Sequence, residues 1–141
     1  MKSAVDQVEV RSTASAERVF AVLTDWPRHR EWMPFTRAAG GTGRGAIVEG
    51  WTGVGRLGFL DTMEITEWEP GRRVAVAHTG RFVRGEGWFA TVPLPGGGCA
   101  IRWGERLDPP PLGPLWRVVS PGFRVFMRVG LRRLARLAER G

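Results

Sequence analysis

The stretch SPGFRVFMRVGLRRLARLAERG, Ser120 to Gly141, decides the fold. Ser120 is a natural N-cap, and Pro121 suits the first helical position. At about 100° per residue, Phe123, Phe126, Met127, Gly130, Leu131, Leu134, Leu137 and Ala138 share one face. Arg124, Arg128, Arg132 and Arg136 climb the opposite face. A helix with so wide an apolar stripe needs a large apolar partner. The rest of the chain reads mostly as strand, so the partner is a sheet. A sheet wrapped around one long helix leaves a hollow between them, and that hollow is where a site is expected.

Working outward, Val5 to Thr13 alternates, with Val8 and Val10 on one face, and reads as a strand. Ser15 caps a helix with Glu17 in its first turn and Val19, Phe20 and Leu23 as its buried stripe. Pro27 interrupts it. A second short helix spans Arg28 to Met33 and ends by Pro34. Gly40 to Gly43 is turn chemistry. Strands follow at Ala46–Thr52, Leu57–Glu69, Arg72–Thr79, Arg81–Leu94 and Cys99–Leu107, joined by turns short enough to make an antiparallel meander. A proline-rich link, Asp108 to Pro114, leads to a short helical turn at Leu115–Val119 and then to the last helix.

Composition narrows the function classes. At 141 residues, 43% apolar and 25% charged, the chain is expected to be one domain, residues 1–141, with a full core. No run reaches the roughly 18 apolar residues of a membrane span, and the N-terminus lacks the apolar centre of a secretion signal. Cys99 is the only cysteine, which excludes an internal disulfide and a cysteine-based metal cluster. A cytoplasmic location is the expectation. Lys2 is the only lysine, so the net charge of +7 is carried by arginine. The arginines are spread over helices, strands and turns, with no dense cluster beyond Arg72-Arg73 and Arg132-Arg133, the pattern of an arginine-favouring composition and not of a nucleic-acid surface. Stable membrane insertion and nucleic acid are therefore not expected. Edge strands and the arginine face admit a homodimer as readily as a monomer.

Four stretches resemble the START-like superfamily, also called SRPBCC or helix-grip proteins, and within it the bacterial polyketide cyclase/dehydrase group. These are Thr13 to Trp26 followed by Trp32-Met33-Pro34, then Met63 to Arg73, with its acidic-aromatic-acidic-Pro turn at Glu67-Trp68-Glu69-Pro70. The others are Gly97 to Trp103 and the closing Leu131 to Arg140. The resemblance covers essentially the whole chain in the family's order. It implies an α+β helix-grip fold: a curved antiparallel sheet of six or seven strands around a long C-terminal helix, with two short helices after the first strand. It also implies a hydrophobic cavity. Members range from lipid and sterol carriers to aromatase/cyclases, so the site must be argued residue by residue.

Strand alternation proposes the inward side chains. Ile101, Trp103, Glu105 and Leu107 share a face, and Phe59, Asp61, Met63 and Ile65 share another. Val74 and Val76 carry His78 with them. On the 81–94 strand the apolar set of Phe82, Trp88, Ala90, Val92 and Leu94 brings Arg84 and Glu86. The expected pocket is thus lined by Phe59, Met63, Val76, Trp88, Ala90, Trp103, Phe123, Met127 and Gly130. His78, Arg84, Glu105 and Asp61 are the catalytic candidates.

Of the tryptophans, Trp88 and Trp103 are the expected cavity walls, and the rest are core or lid packing. Cyclisation of a polyketone needs a base beside a carbonyl and support for an enolate. A histidine or a buried carboxylate supplies the first, and an arginine such as Arg84 the second. No metal or cofactor is expected. His29 and His78 lie too far apart for a helical zinc pair, and Gly53-Val54-Gly55 lacks the strand–turn–helix setting of a nucleotide loop. Three functions are compatible with these residues: a binder of a lipid, isoprenoid or polyketide-like molecule; a polyketide aromatase/cyclase or dehydrase; and an interaction module with a filled core.

Overall fold

The computed structural model describes residues 4–140; Met1 to Ser3 and Gly141, the last residue of the stretch quoted above, lie outside them. Strand β1 (Ala4–Ser12) is followed by helix α1 (Ala16–Leu23), a single 3₁₀ turn (Trp26–Arg28) and helix α2 (His29–Trp32). Six strands come next: β2 (Thr36–Gly40), β3 (Ile47–Val54), β4 (Leu57–Glu69), β5 (Arg73–Thr79), β6 (Arg84–Pro93) and β7 (Cys99–Leu107). A 3₁₀ turn (Gly113–Leu115) runs into helix α3 (Trp116–Glu139). The strands form one antiparallel sheet in the order β1-β7-β6-β5-β4-β3-β2. This is the helix-grip arrangement, with seven strands.

The local chemistry accounts for these elements. The Ser15 hydroxyl accepts the Arg18 amide at 3.1 Å and caps α1. Short turns at 55–56 and 80–83 and the glycine turn at 94–98 return each strand beside the last. A bulge between Ile65 and Glu67 re-aims β4, so that Phe59, Asp61, Met63 and Ile65 face inward on one side of it. Beyond the bulge, Trp68 meets the edge of Phe20 at 5.2 Å.

Helix α3 departs from the expected start at Ser120. It begins at Trp116, and Pro121 lies inside it. Pro121 has no N–H to give the carbonyl of Arg117, a loss of about 3 kcal/mol in a helix interior. Anchoring of the first turn offsets that loss. The buried Asp6 carboxylate on β1 accepts the Trp116 indole N–H at 3.2 Å and the Arg124 guanidinium at 2.9 Å. Arg124 thereby leaves the solvated arginine face on which it was expected. At the far end of α3, the Glu139 carboxylate accepts the Thr13 amide and the Ser12 hydroxyl, both at 2.9 Å. Between these clamps Met127, Leu131 and Leu134 are fully buried against the sheet and the short helices.

The face of β6 is the reverse of the one expected. The ladder places Gly87 opposite Glu105 and Phe89 opposite Trp103, so Gly87 and Phe89 share the inner face with them. Trp88 and Ala90 therefore lie on the outer face. Apolar content misled here, because a half-buried indole on the outer face found a different partner. Trp88 lies over Gly104, where an added Cβ would stand 2.1 Å from the ring, and the guanidiniums of Arg73 and Arg106 lie 6.0 and 5.9 Å from its centre.

The two strand-borne acids on β1 make a direct comparison. Asp6→Ala leaves a buried indole N–H and Arg124 without their acceptor and is expected to cost about 2 kcal/mol. Glu9→Ala on the same strand removes only an exposed pair with Arg102 and should cost less than about 0.5 kcal/mol. Urea unfolding midpoints for the two variants check the order; equal midpoints would remove the clamp from this account.

Candidate functional site

Between the inner face of the sheet and α3 lies a cavity of about 400 Å³. Its walls are mainly aromatic and aliphatic. Phe59 and Met63 come from β4, Val74 and Val76 from β5, and Phe89 and Trp103 from β6 and β7. Helix α3 contributes Trp116, Phe123 and Phe126. Phe89 and Trp103 stack at 4.9 Å, and Trp32 from α2 stands edge-on to both at 6.0 and 6.5 Å. Phe82 and Leu112 also line the space, yet each is more than half exposed, so they mark its mouth. The interior is not filled by side chains.

Of the residues expected at the pocket, Phe59, Met63, Val76, Trp103 and Phe123 line it. Met127 and Gly130 do not. They lie one and two turns further along α3, where the helix closes onto the core, and a Cβ at Gly130 would meet Trp32 at 3.7 Å. Trp88 and Ala90 are turned away with their face of β6. Arg84 goes with them. It is exposed and its guanidinium donates to the Gly80 carbonyl at 3.4 Å, so it holds nothing inside the cavity. Glu86, on the same face, pairs with Arg106.

Asp61, His78 and Glu105 come together. They arrive from β4, β5 and β7, and the registers bring them to one end of the cavity. The His78 Nδ1–H donates to Asp61 Oδ1 and the Nε2–H to Glu105 Oε2, both at 2.8 Å. The Trp103 indole donates to the other oxygen of Glu105 at 3.1 Å. Gly87 makes the room. A Cβ there would stand 2.7 Å from Glu105 Oε2, so the carboxylate rests directly on the β6 backbone.

Burial pushes the His78 imidazole down, but hydrogen bonds to Asp61 and Glu105 and the charges behind them outweigh it. The result is a pKa of about 10. His78 is therefore an imidazolium at neutral pH, with both N–H groups already given away. In this arrangement neither ring nitrogen is free to take up a proton, unlike the near-neutral base expected from the sequence. Its ring lies between the carboxylates rather than beside a shared point, and among the described residues no set of His, Cys, Asp or Glu is arranged to hold a metal.

Several cavity residues were missed in the sequence. His29 lines the wall from α2, its ring 4.3 Å from that of Trp32, and its buried Nδ1 has no hydrogen-bond partner. Burial without a countercharge pushes its pKa down to about 4. Thr36, Phe89 and Trp116 were missed as well. For Phe89 and Gly87 the signal was present in the period-two partner set of Trp103 and Glu105. For His29 there was none, because a four-residue helix has no readable face.

The two histidines titrate in opposite directions. His29 is expected to stay neutral down to about pH 4 and His78 to stay charged up to about pH 10, so neither ring changes state near neutrality. Imidazole NMR shifts across pH check this. The sign for stability follows from the raised pKa. The contribution of His78 is complete below its unfolded pKa of about 6.5 and is lost as pH rises through about 10. The stability gap between the native chain and His78→Gln should accordingly shrink from neutral pH toward pH 10. A gap that widens with pH contradicts the charged state.

The fold has counterparts among known proteins. The fold matches the Zhui aromatase/cyclase from Streptomyces sp. R1128, with 19% identity, a TM-score of 0.76, and 98% of this chain and 94% of that one covered. It matches protein MLL2253 from Mesorhizobium loti at 17% identity and a TM-score of 0.76, covering 97% and 98%. It also matches the di-domain ARO/CYC StfQ from the steffimycin biosynthetic pathway at 12% identity and a TM-score of 0.76, covering 99% of this chain and 51% of that one. Among curated protein sequences none matches. Among the described residues no helix is long and apolar enough to cross a membrane. The profile of the family described as "Polyketide cyclase / dehydrase and lipid transport" matches residues 4–139, and the chain belongs to that family.

Proposed function

We propose that this protein binds a small hydrophobic molecule, polyketide-like or lipid-like, in the cavity between the sheet and α3. The observation that carries this is the cavity itself: about 400 Å³, walled by aromatic and aliphatic side chains, with Asp61, His78 and Glu105 gathered at one end. Binding pockets for small molecules are commonly of this size and make-up. Burial of a ligand against such walls contributes roughly 25 cal/mol per Å² of apolar surface removed from water.

A second reading has its own support in the convergence of Asp61, His78 and Glu105. In a cyclase or dehydrase, a carboxylate would take the proton beside a substrate carbonyl, and His78 would hold that carboxylate in place rather than act as the base. The oxygen of Asp61 that His78 does not occupy is the group suited to that role. The cavity offers no arginine for the enolate, so the weight falls on the binding reading.

Filling the space separates a real pocket from an incidental void. Gly50 lines the cavity and a Cβ there would meet nothing closer than the Met63 methyl at 3.6 Å. Gly50→Leu is expected to fold normally and to weaken binding of the neutral dye Nile red at least tenfold, by occupying its place. Native mass spectrometry of freshly purified protein should show a co-purified apolar mass in the native chain and less of it in the variant. Absence of both dye binding and co-purified mass would remove the proposal. For the enzyme reading, Asp61→Asn and Glu105→Gln should alter the product profile from a tethered poly-β-ketone; an unchanged profile eliminates it.

A further inference from the structure

We propose that the cavity selects an apolar ligand carrying a cationic amine, seated against the Asp61 and Glu105 carboxylates. This rests on the binding reading above and adds the chemical class of the ligand.

The polar N–H and O–H donors of the lining tryptophans, threonines and His78 are already spent. Both N–H groups of His78 are taken by Asp61 and Glu105. The indole N–H groups of the three lining tryptophans are taken as well: Trp103 by Glu105, Trp116 by Asp6 and Trp26 by the Gly41 carbonyl; the unpartnered Trp32 indole N–H lies behind the wall and does not line the space. The Thr36 hydroxyl donates to the Pro34 carbonyl at 3.0 Å, which leaves the Thr52 hydroxyl donating to Thr36 at 3.1 Å. Among the described residues no arginine lines the space. A carboxylate or phosphate headgroup would therefore enter an apolar hollow, face two carboxylates, and find no cation free to receive it. Desolvating such an anion without a partner is strongly unfavourable.

The same features favour a cation. Two carboxylates flank one imidazolium, so the cluster keeps a net negative charge that an ammonium would neutralise. Asp61 retains one oxygen not used by His78, and an ammonium has three donors to offer. The aromatic walls add attraction for a positive group through their ring faces. An independent observation also points to a ligand. His29 is about nine-tenths buried, lines the cavity from another wall, and its Nδ1 has no partner. Like the second oxygen of Asp61, this nitrogen is left unspent, and it suits a polar atom elsewhere on the same ligand.

Three probes with one skeleton test the choice of headgroup: naphthylethylamine, naphthylethanol and naphthylacetate, measured by calorimetry at neutral pH. The amine is expected to bind at least tenfold more tightly than the carboxylate. Asp61→Asn and Glu105→Gln should each collapse the ratio of amine to alcohol affinity toward one. Equal or tighter binding of the carboxylate overturns the inference, as does a ratio untouched by both substitutions; either result leaves the hydrophobic-ligand reading standing. Failure of all three probes to bind, together with failure of Nile red, removes the parent reading and this inference with it.

Discussion

One helix is too narrow to cover seven strands, and the molecule is organised around that mismatch. Six strand spacings of about 4.8 Å make an inner face roughly 29 Å wide, whereas a helix with its side chains is about 10 Å across. Helix α3 packs along β1 and β7, at one side of the sheet. The inner faces of β3 to β6 are left over. Helix α2, the start of α3 and the link before it close that remainder from above without filling it, and the cavity is what they leave. Its position depends on α3 staying where it is, which is why the helix is pinned to β1 by Asp6 at one end and to the β1–α1 junction by Glu139 at the other.

The electrostatics follow from where the hollow ends. A lone carboxylate in an apolar wall would carry a heavy desolvation penalty. Here the imidazolium of His78 is shared by two of them, and the Trp103 indole supports one. The three groups come from strands β4, β5 and β7, so the arrangement exists only when the whole meander is in register. The neutral His29 on the α2 wall is the contrasting case: burial with no countercharge.

Much of this was legible in the sequence because strand alternation is a strict period. It grouped Phe59, Asp61 and Met63 on β4, Val76 and His78 on β5, and Trp103 and Glu105 on β7, and the structure gathers those sets around one space. It failed on β6, where both faces carry an aromatic and the choice by apolar content put Trp88 inside instead of Phe89. Only pairing with β7 resolves that choice, and pairing is not a local property. Strand β2 was not foreseen either, because Thr36-Arg37-Ala38-Ala39-Gly40 is a short edge strand with no apolar alternation. The early start of α3 was hidden because Pro121 has the look of a helix opening, and the Asp6 contact that overrides it lies more than 100 residues away in the chain.

Residue 87 governs the character of the hollow without belonging to its chemistry. The Glu105 carboxylate occupies the volume that any side chain at 87 would claim. A lineage that acquired even a methyl group there would have to swing the acid aside, separating it from His78 and altering the polarity of the chamber while every charged residue remained encoded. Relatives built on the same frame can therefore diverge in what they accept through a change at one uncharged position, and an inventory of their acids and bases would not reveal it.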